Sequence, residues 1–236
     1  MEVNGLLSGG APVVKKYQIN ATVSNVGVPL LIGGANEAGL DLPTTTAAAD
    51  VVGLNLDTAT YSTTQGTGSS SAESLVSVVI NPDAIYRARM SGGATEGTAL
   101  TLYDVTTANA AGTTITTGDD HTSPEFDEGV VWGYDGANVS QSRKITSTTS
   151  TAMVVTVPFD NDTIVGDNFL RAPYWAMQGV TVQLTTNFYE ADASIVVATG
   201  APFLPIDMEL NDISSEGRNT SYVHMIAGDH FLNRLS

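Results

Sequence analysis

Chemistry in this chain would have to start from few side chains. The histidines are His121, His224 and His230, and cysteine is absent. Without thiols there is no disulfide framework, no Cys nucleophile and no thiolate metal site. His224 and His230 stand six residues apart, which does not place them on one helical face, and no HExxH pattern exists. No GxSxG elbow raises a serine toward a histidine. The pairs Gly9-Gly10, Gly33-Gly34 and Gly92-Gly93 lack the G-K-[ST] that completes a phosphate loop, so they read as turns needing positive φ. The expectation is a non-enzyme with no catalytic, cofactor-binding or metal residue, and no cofactor.

Hard oxygens and aromatic faces are the better candidates for a site. Asp160-Asn161-Asp162 with Asp167, and Asp119-Asp120 with Glu125, Asp127 and Glu128, supply the ligand type that calcium prefers. Neither follows the EF-hand spacing, because Asp162 is followed by Thr163-Ile164. Solvated turns are expected at 119–128 and 160–167, with a loop-bound divalent cation as the alternative. A hydrolase built on two carboxylates needs a fixed separation between them, which chain spacing does not supply. Among aromatics, Tyr174-Trp175 with Phe169 upstream, Trp132 and Tyr134 on one strand, and Phe188-Tyr189 are candidates for a sugar platform. Aromatic content is only 7%, so core or interface anchoring is the simpler expectation.

Charge narrows the partners. Nine Lys and Arg face 25 Asp and Glu, a net −16, and such a surface repels phosphate backbones, so no nucleic-acid partner is expected. The scarce cations come in pairs, Lys15-Lys16, Arg87 and Arg89, and Arg143-Lys144; ordinary surface ion pairing is the simpler expectation, with pairing to specific carboxylates the alternative. The start Met1-Glu2-Val3-Asn4 lacks a basic, apolar leader, and no run approaches a membrane-spanning length. A soluble product made in the cytoplasm, with no membrane partner, is the expectation.

The elements that must position these residues read as strands. Only 14% of residues are charged, against roughly 25% in an average globular chain. Thirty Thr, 19 Ser and 23 Gly take their place. Threonine, stiff at χ1, suits a pleated half-buried surface. Tyr17, Ile19, Ala21 and Val23 alternate within Val13–Val23. Further runs are Val28–Ile32, Asp50–Asp57, Ser74–Ile80, Ala84–Met90, Thr98–Asp104 and Thr113–Thr117. Beyond the acidic stretch 118–128 come Val130–Tyr134, Arg143–Ser147, Ala152–Phe159, Gly179–Thr185, Ser194–Ala198 and Tyr222–Ile226. In Ala84–Met90 the alternation sets Ile85, Arg87 and Arg89 against Tyr86, Ala88 and Met90. Thr58–Ala72 reads as a mobile Ser/Thr/Gly loop. No sustained 3.6-residue period appears, so the fold class is all-β, of β-barrel or β-sandwich architecture. The expected layout is an N-terminal arm (1–12), two small β domains (13–120 and 129–200) and an extended C-terminal arm (201–236).

The run from Val28 to Asp57, an apolar segment, a Gly33-Gly34 tip and then VVGLNLD, resembles tailed-bacteriophage head decoration (cement) proteins. Ile80–Leu100 (INPDAIYRARMSGGATEGTAL) is similar to stretches of structural proteins of marine and cyanobacterial phages. The resemblance covers roughly the first 120 residues. It implies a virion structural protein on the capsid surface, partnered by the phage major capsid protein and by itself as a homotrimer. Other phage subunits (tail tube, neck or head fibre) and a carbohydrate-binding β-sandwich module share the composition. Cement stabilises a lattice by summing modest contacts over several subunits, and a sheet edge or arm can add to a neighbour's sheet. The expected contact segments are Met1–Val14 and Pro202–Ser236.

Overall fold

A computed structural model describes residues 1–32, 39–43, 50–61, 75–92, 100–122, 127–172, 184, 190–192, 203–209 and 222–228. Among them the protein is all-β. The first strands are β1 (Glu2–Leu6), β2 (Val14–Gln18), β3 (Pro29–Ile32), β4 (Leu40–Asp41), β5 (Val51–Asn55) and β6 (Leu75–Val79). Next come β7 (Ala84–Ser91), β8 (Tyr103–Asp104), β9 (Thr114–Thr116), β10 (Val130–Gly133) and β11 (Ser142–Thr148). The last are β12 (Ala152–Val155), β13 (Asn168–Ala172), β14 (Ala191–Asp192), β15 (Phe203–Glu209) and β16 (Tyr222–Ala227). The expected strands at 179–185 and 194–198 lie outside the described residues, apart from Leu184, which bridges Ala191. Most of the Thr58–Ala72 loop lies outside them too.

Three sheets result. One has the order β2-β6-β5-β3-β4, and a second β8-β13-β10-β11-β12-β9. Both curl toward closure. In the first, Ile19 just beyond β2 bridges Leu40 of β4, and the Asn20 N–H donates to the Leu40 carbonyl at 2.9 Å. In the second, Thr107 just beyond β8 bridges Thr116 of β9, and the Thr106 N–H donates to the Thr116 carbonyl at 2.8 Å. Each curl encloses its own apolar interior. Ile19, Leu30, Val52, Val76 and Val78 fill the first, and Ile115, Val131, Ile145, Met153 and Phe169 the second.

The third sheet, β1-β7-β16-β15 with β14 parallel to the end of β7, joins distant parts of the chain. Its Tyr86, Ala88, Met90, Phe203, Val223 and Met225 form the largest core with Val51, Leu54 and Val79 of one curled sheet and Val130, Trp132, Leu170 and Ala172 of the other. The paired strands therefore cross the boundaries expected from the sequence. Glu2–Leu6, expected in an arm, pairs antiparallel with β7, and Phe203–Glu209 and Tyr222–Ala227 pair antiparallel with each other. Only Leu6 of β1 is fully buried, and Pro205 interrupts β15, so neither segment displays a clean alternation.

Tyr86 Oη and Trp132 Nε1 are buried in this central core with no hydrogen-bond partner among the described residues. Burial, followed by the charge on Asp83, pushes the Tyr86 hydroxyl above its ordinary pKa. An unpaired buried hydroxyl costs about 1–3 kcal/mol. Tyr86→Phe keeps the edge-on contact with Phe203, whose ring centroid is 5.6 Å away. The substitution is expected to stabilise the fold by about 1 kcal/mol, read as a higher urea midpoint. A lower midpoint would mean that the hydroxyl is bonded in solution.

Candidate functional site

The histidine most open to a catalytic reading sits at the edge of the second curled sheet. His121 is fully buried, between Thr117 Oγ1 at 2.6 Å from Nε2 and Arg171 Nη1 at 2.6 Å from Nδ1. A guanidinium can only donate, so Nδ1 accepts and the ring proton resides on Nε2, which donates to Thr117. Activation of a hydroxyl nucleophile needs the reverse arrangement. Nε2 would accept from the hydroxyl, while a carboxylate received the proton on Nδ1. Burial first, and the Arg171 charge second, push the His121 pKa down to about 4. Arg171 itself stacks over Tyr103 with Cζ 4.6 Å from the ring centroid, and burial lowers its pKa. A neutral imidazole thus links the Arg171 guanidinium on β13 to Thr117 in the segment after β9.

The acidic turns are also wired internally. Asn138, fully buried, donates from Nδ2 to the carbonyls of Asn161 (3.1 Å) and Asp162 (3.2 Å) and accepts the Asn161 N–H on Oδ1 at 3.1 Å. Those carbonyls are thus engaged by an amide. Asp160 pairs with Arg143 at 3.0 Å, and the buried Asp167 accepts the Ile164 N–H at 3.2 Å. Gly136, at φ +71°, lets Asp167 pack against the 136–138 turn, since a Cβ there would overlap its Oδ1. In the other cluster, Asp120 accepts from the Thr122 backbone and hydroxyl, Asp127 accepts from Thr148 Oγ1 at 2.7 Å, and Glu128 pairs with Lys144. Glu125 lies outside the described residues. Among the described residues no group of three or more acidic or histidine side chains is arranged to hold a metal.

The aromatic candidates divide. Trp132 and Phe169 are core residues, Tyr134 packs partly buried against the central core, and Tyr174, Trp175, Phe188 and Tyr189 lie outside the described residues. A groove of about 610 Å³ is lined by Thr22–Ser24, Thr58–Thr60 and Leu75, none of them ionisable among the described residues.

The densest polar constellation is the outward strip of the central sheet. Cross-strand register aligns Glu2 and His224 beside Arg87, Tyr222 opposite Glu209, and His224 opposite Asp207. Arg87 grips Glu209 through Nε (2.9 Å) and Nη2 (2.8 Å), reaches Glu2 through Nη1 (3.1 Å), and lies 3.4 Å above the Tyr222 ring. The bidentate fork lowers the Glu209 pKa and raises that of Arg87. His224 Nε2 adds a 2.7 Å contact to Glu209 and lies 3.1 Å from Asn4 Nδ2. Alongside, Arg89 meets Glu190 at 2.7 Å. The strip ties β1 to the β15–β16 pair, and among the described residues each of its cations has a carboxylate partner. Rarity of cations pointed to Arg87 and Arg89 as specific pairers; nothing in the sequence pointed to Glu2, Glu190 or Glu209 as their partners.

Comparison with known proteins adds no relative: no protein-family model, no curated protein and no solved structure matches this chain.

Proposed function

We propose that the chain is a non-enzymatic virion structural protein, a decoration or cement subunit that binds the outer surface of a phage head and stabilises the major capsid protein lattice. What supports this reading beyond the resemblance in residues 28–57 and 80–100 is how the chain uses its reactive groups. Arg87 bridges residues 85 and 122 positions away, His121 is held neutral by burial and by Arg171, and the acidic turns close on their own backbone. Among the described residues these reactive side chains brace the scaffold, and the remaining surface carries carboxylates, small polar groups and scattered aliphatic ones. A lattice clamp has this economy, because its work is done by contact area repeated over many copies.

Backbone addition at β15 is blocked. Pro205 lacks an N–H, the register shifts between Pro205 and Asp207, and Asp207 Oδ1 takes the Met208 N–H at 2.8 Å. At this edge, binding to the capsid would therefore fall to side chains. Heads purified from the genome that encodes the chain are expected to carry it in fixed ratio to the capsid protein, with added density on the outer surface in electron cryomicroscopy. Purified heads lacking the chain would overturn the reading.

A further inference from the structure

Two chain segments meet beside the first curled sheet, and alternation decides which side chains they show. Val23 and Ala59 pair as an antiparallel bridge, each N–H donating to the other's carbonyl, at 2.9 and 3.0 Å. Val23 is buried in the interior of that sheet, and Ala59 packs against the same interior. Neighbours along an extended chain point to opposite sides. Thr22 and Ser24 on one segment, and Thr58 and Thr60 on the other, therefore turn outward, and all four are exposed. The same rule holds in β6, where Val76 enters the interior and Leu75 faces out. These five side chains line the groove of about 610 Å³, with Val23 and Ala59 between them.

The chemistry of this lining is uniform. Each of its hydroxyls can donate one hydrogen bond and accept others, and Leu75 adds an aliphatic surface beside them. The nearest carboxylate in sequence, Asp57, is turned to β6, where it accepts from the Ser77 N–H (2.7 Å) and hydroxyl (2.8 Å). Thr22 Oγ1 accepts the Tyr61 N–H at 3.0 Å, which leaves its own O–H to donate and ties Tyr61 to one end of the groove. Tyr61 is 38% exposed. A ligand for this place carries no charge, because the lining offers a counter-charge to neither sign and the net −16 of the chain repels anions. It is also rich in hydroxyls, since an apolar ligand would cover the protein hydroxyls and leave them without partners. Sugars combine many hydroxyls with apolar C–H faces, and those faces pack on aliphatic and aromatic side chains.

We propose that this groove binds a neutral mono- or disaccharide, held by hydrogen bonds to Thr22, Ser24, Thr58 and Thr60 and by a ring face packed on Leu75 and Tyr61. The volume lies in the range of small-molecule sites. Water competes for exposed hydroxyls, so the dissociation constant is on the order of a millimolar. The bridge holds both segments in place before any contact, which keeps the ordering cost of binding low. The site belongs to the first curled sheet alone and does not rest on the capsid reading.

The test is saturation-transfer NMR on the full chain with maltose, cellobiose, lactose and chitobiose, and with glucuronate as the charged counterpart. Transfer to at least one of the neutral sugars, and none to glucuronate, is expected. The sugar with the strongest transfer is then titrated against variants. Thr58→Val with Thr60→Val keeps the branched shape and removes two hydroxyls, and is expected to raise the dissociation constant about tenfold. Tyr61→Ala removes the ring and is expected to raise it about fivefold. All three positions are exposed, and circular dichroism with the urea midpoint checks that each variant is folded. Absence of transfer to every neutral sugar overturns the proposal. Binding that both variants leave unchanged overturns it as well, because the sugar then sits elsewhere on the chain. Transfer to glucuronate as strong as to the neutral sugars does the same, since a groove without counter-charge has no means to hold it.

Discussion

Acidification from pH 6.5 to pH 4 is expected to remove about 3 kcal/mol of folding free energy through His121 alone. Its pKa is about 4 in the folded protein and near the ordinary 6.5 once the chain unfolds. Between those values the unfolded chain binds a proton that the native protein refuses, so stability falls as pH falls. The contribution is complete above 6.5, and below 4 this residue takes nothing further away. The physical cause is that protonation would charge a fully buried imidazole and place a second cation on Nδ1, 2.6 Å from the Arg171 guanidinium. Urea titrations at pH 7, 5.5 and 4.5 read the slope. His121→Gln offers an acceptor to Arg171 and a donor to Thr117 but no titration, so its stability is expected to be flatter over this range, whatever its value at pH 7. Equal slopes in both proteins would show that the native imidazole is free to protonate.

Much of the strand content is legible in the sequence, and the reason it is not all legible lies in how the layers stack. In β7 the alternation works as read, because one face enters the core through Tyr86, Ala88 and Met90 while Arg87 and Arg89 hold the strip outside. In β10 it fails. Val131 belongs to the interior of the curled sheet, while Val130 and Trp132 belong to the central core, so both faces are buried. The same double burial hides β13, where Phe169 faces one core and Leu170 and Ala172 the other. Trp132 with Tyr134 therefore resembles an exposed aromatic row in sequence, whereas in the fold both pack on the central core and β10 itself separates the two cores. The polar determinants are hidden for another reason. Asn55, fully buried, serves the Val28 N–H (2.6 Å) and the carbonyls of Asn25 (2.6 Å) and Asp57 (2.8 Å), yet in sequence it is one Asn among many. Acidic runs draw attention to themselves, whereas the single amide that satisfies a loop's backbone leaves no pattern.

Asn138→Ala is expected to cost about 3 kcal/mol, far more than a surface-loop substitution. The side chain is fully buried and satisfies the Asn161 N–H and the Asn161 and Asp162 carbonyls at once, with Gln141 Nε2 a further 3.3 Å partner. Removing it strips partners from several backbone groups and leaves a void beneath the 136–138 turn. Asn138→Asp separates this cause from simple loss of volume. It preserves the acceptor for the Asn161 N–H and the shape, but it sets a carboxylate against two carbonyl oxygens that need donors. If the amide's two donated bonds carry the effect, Asp is expected to be at least as damaging as Ala near neutral pH. If packing carries it, Asp should recover most of the loss. Urea denaturation gives the total, and amide exchange at Asn161 and Ile164 locates it. Exchange that quickens at those positions while the amides of β7 stay protected would mean that the paired 136–141 and 160–167 loops open by themselves.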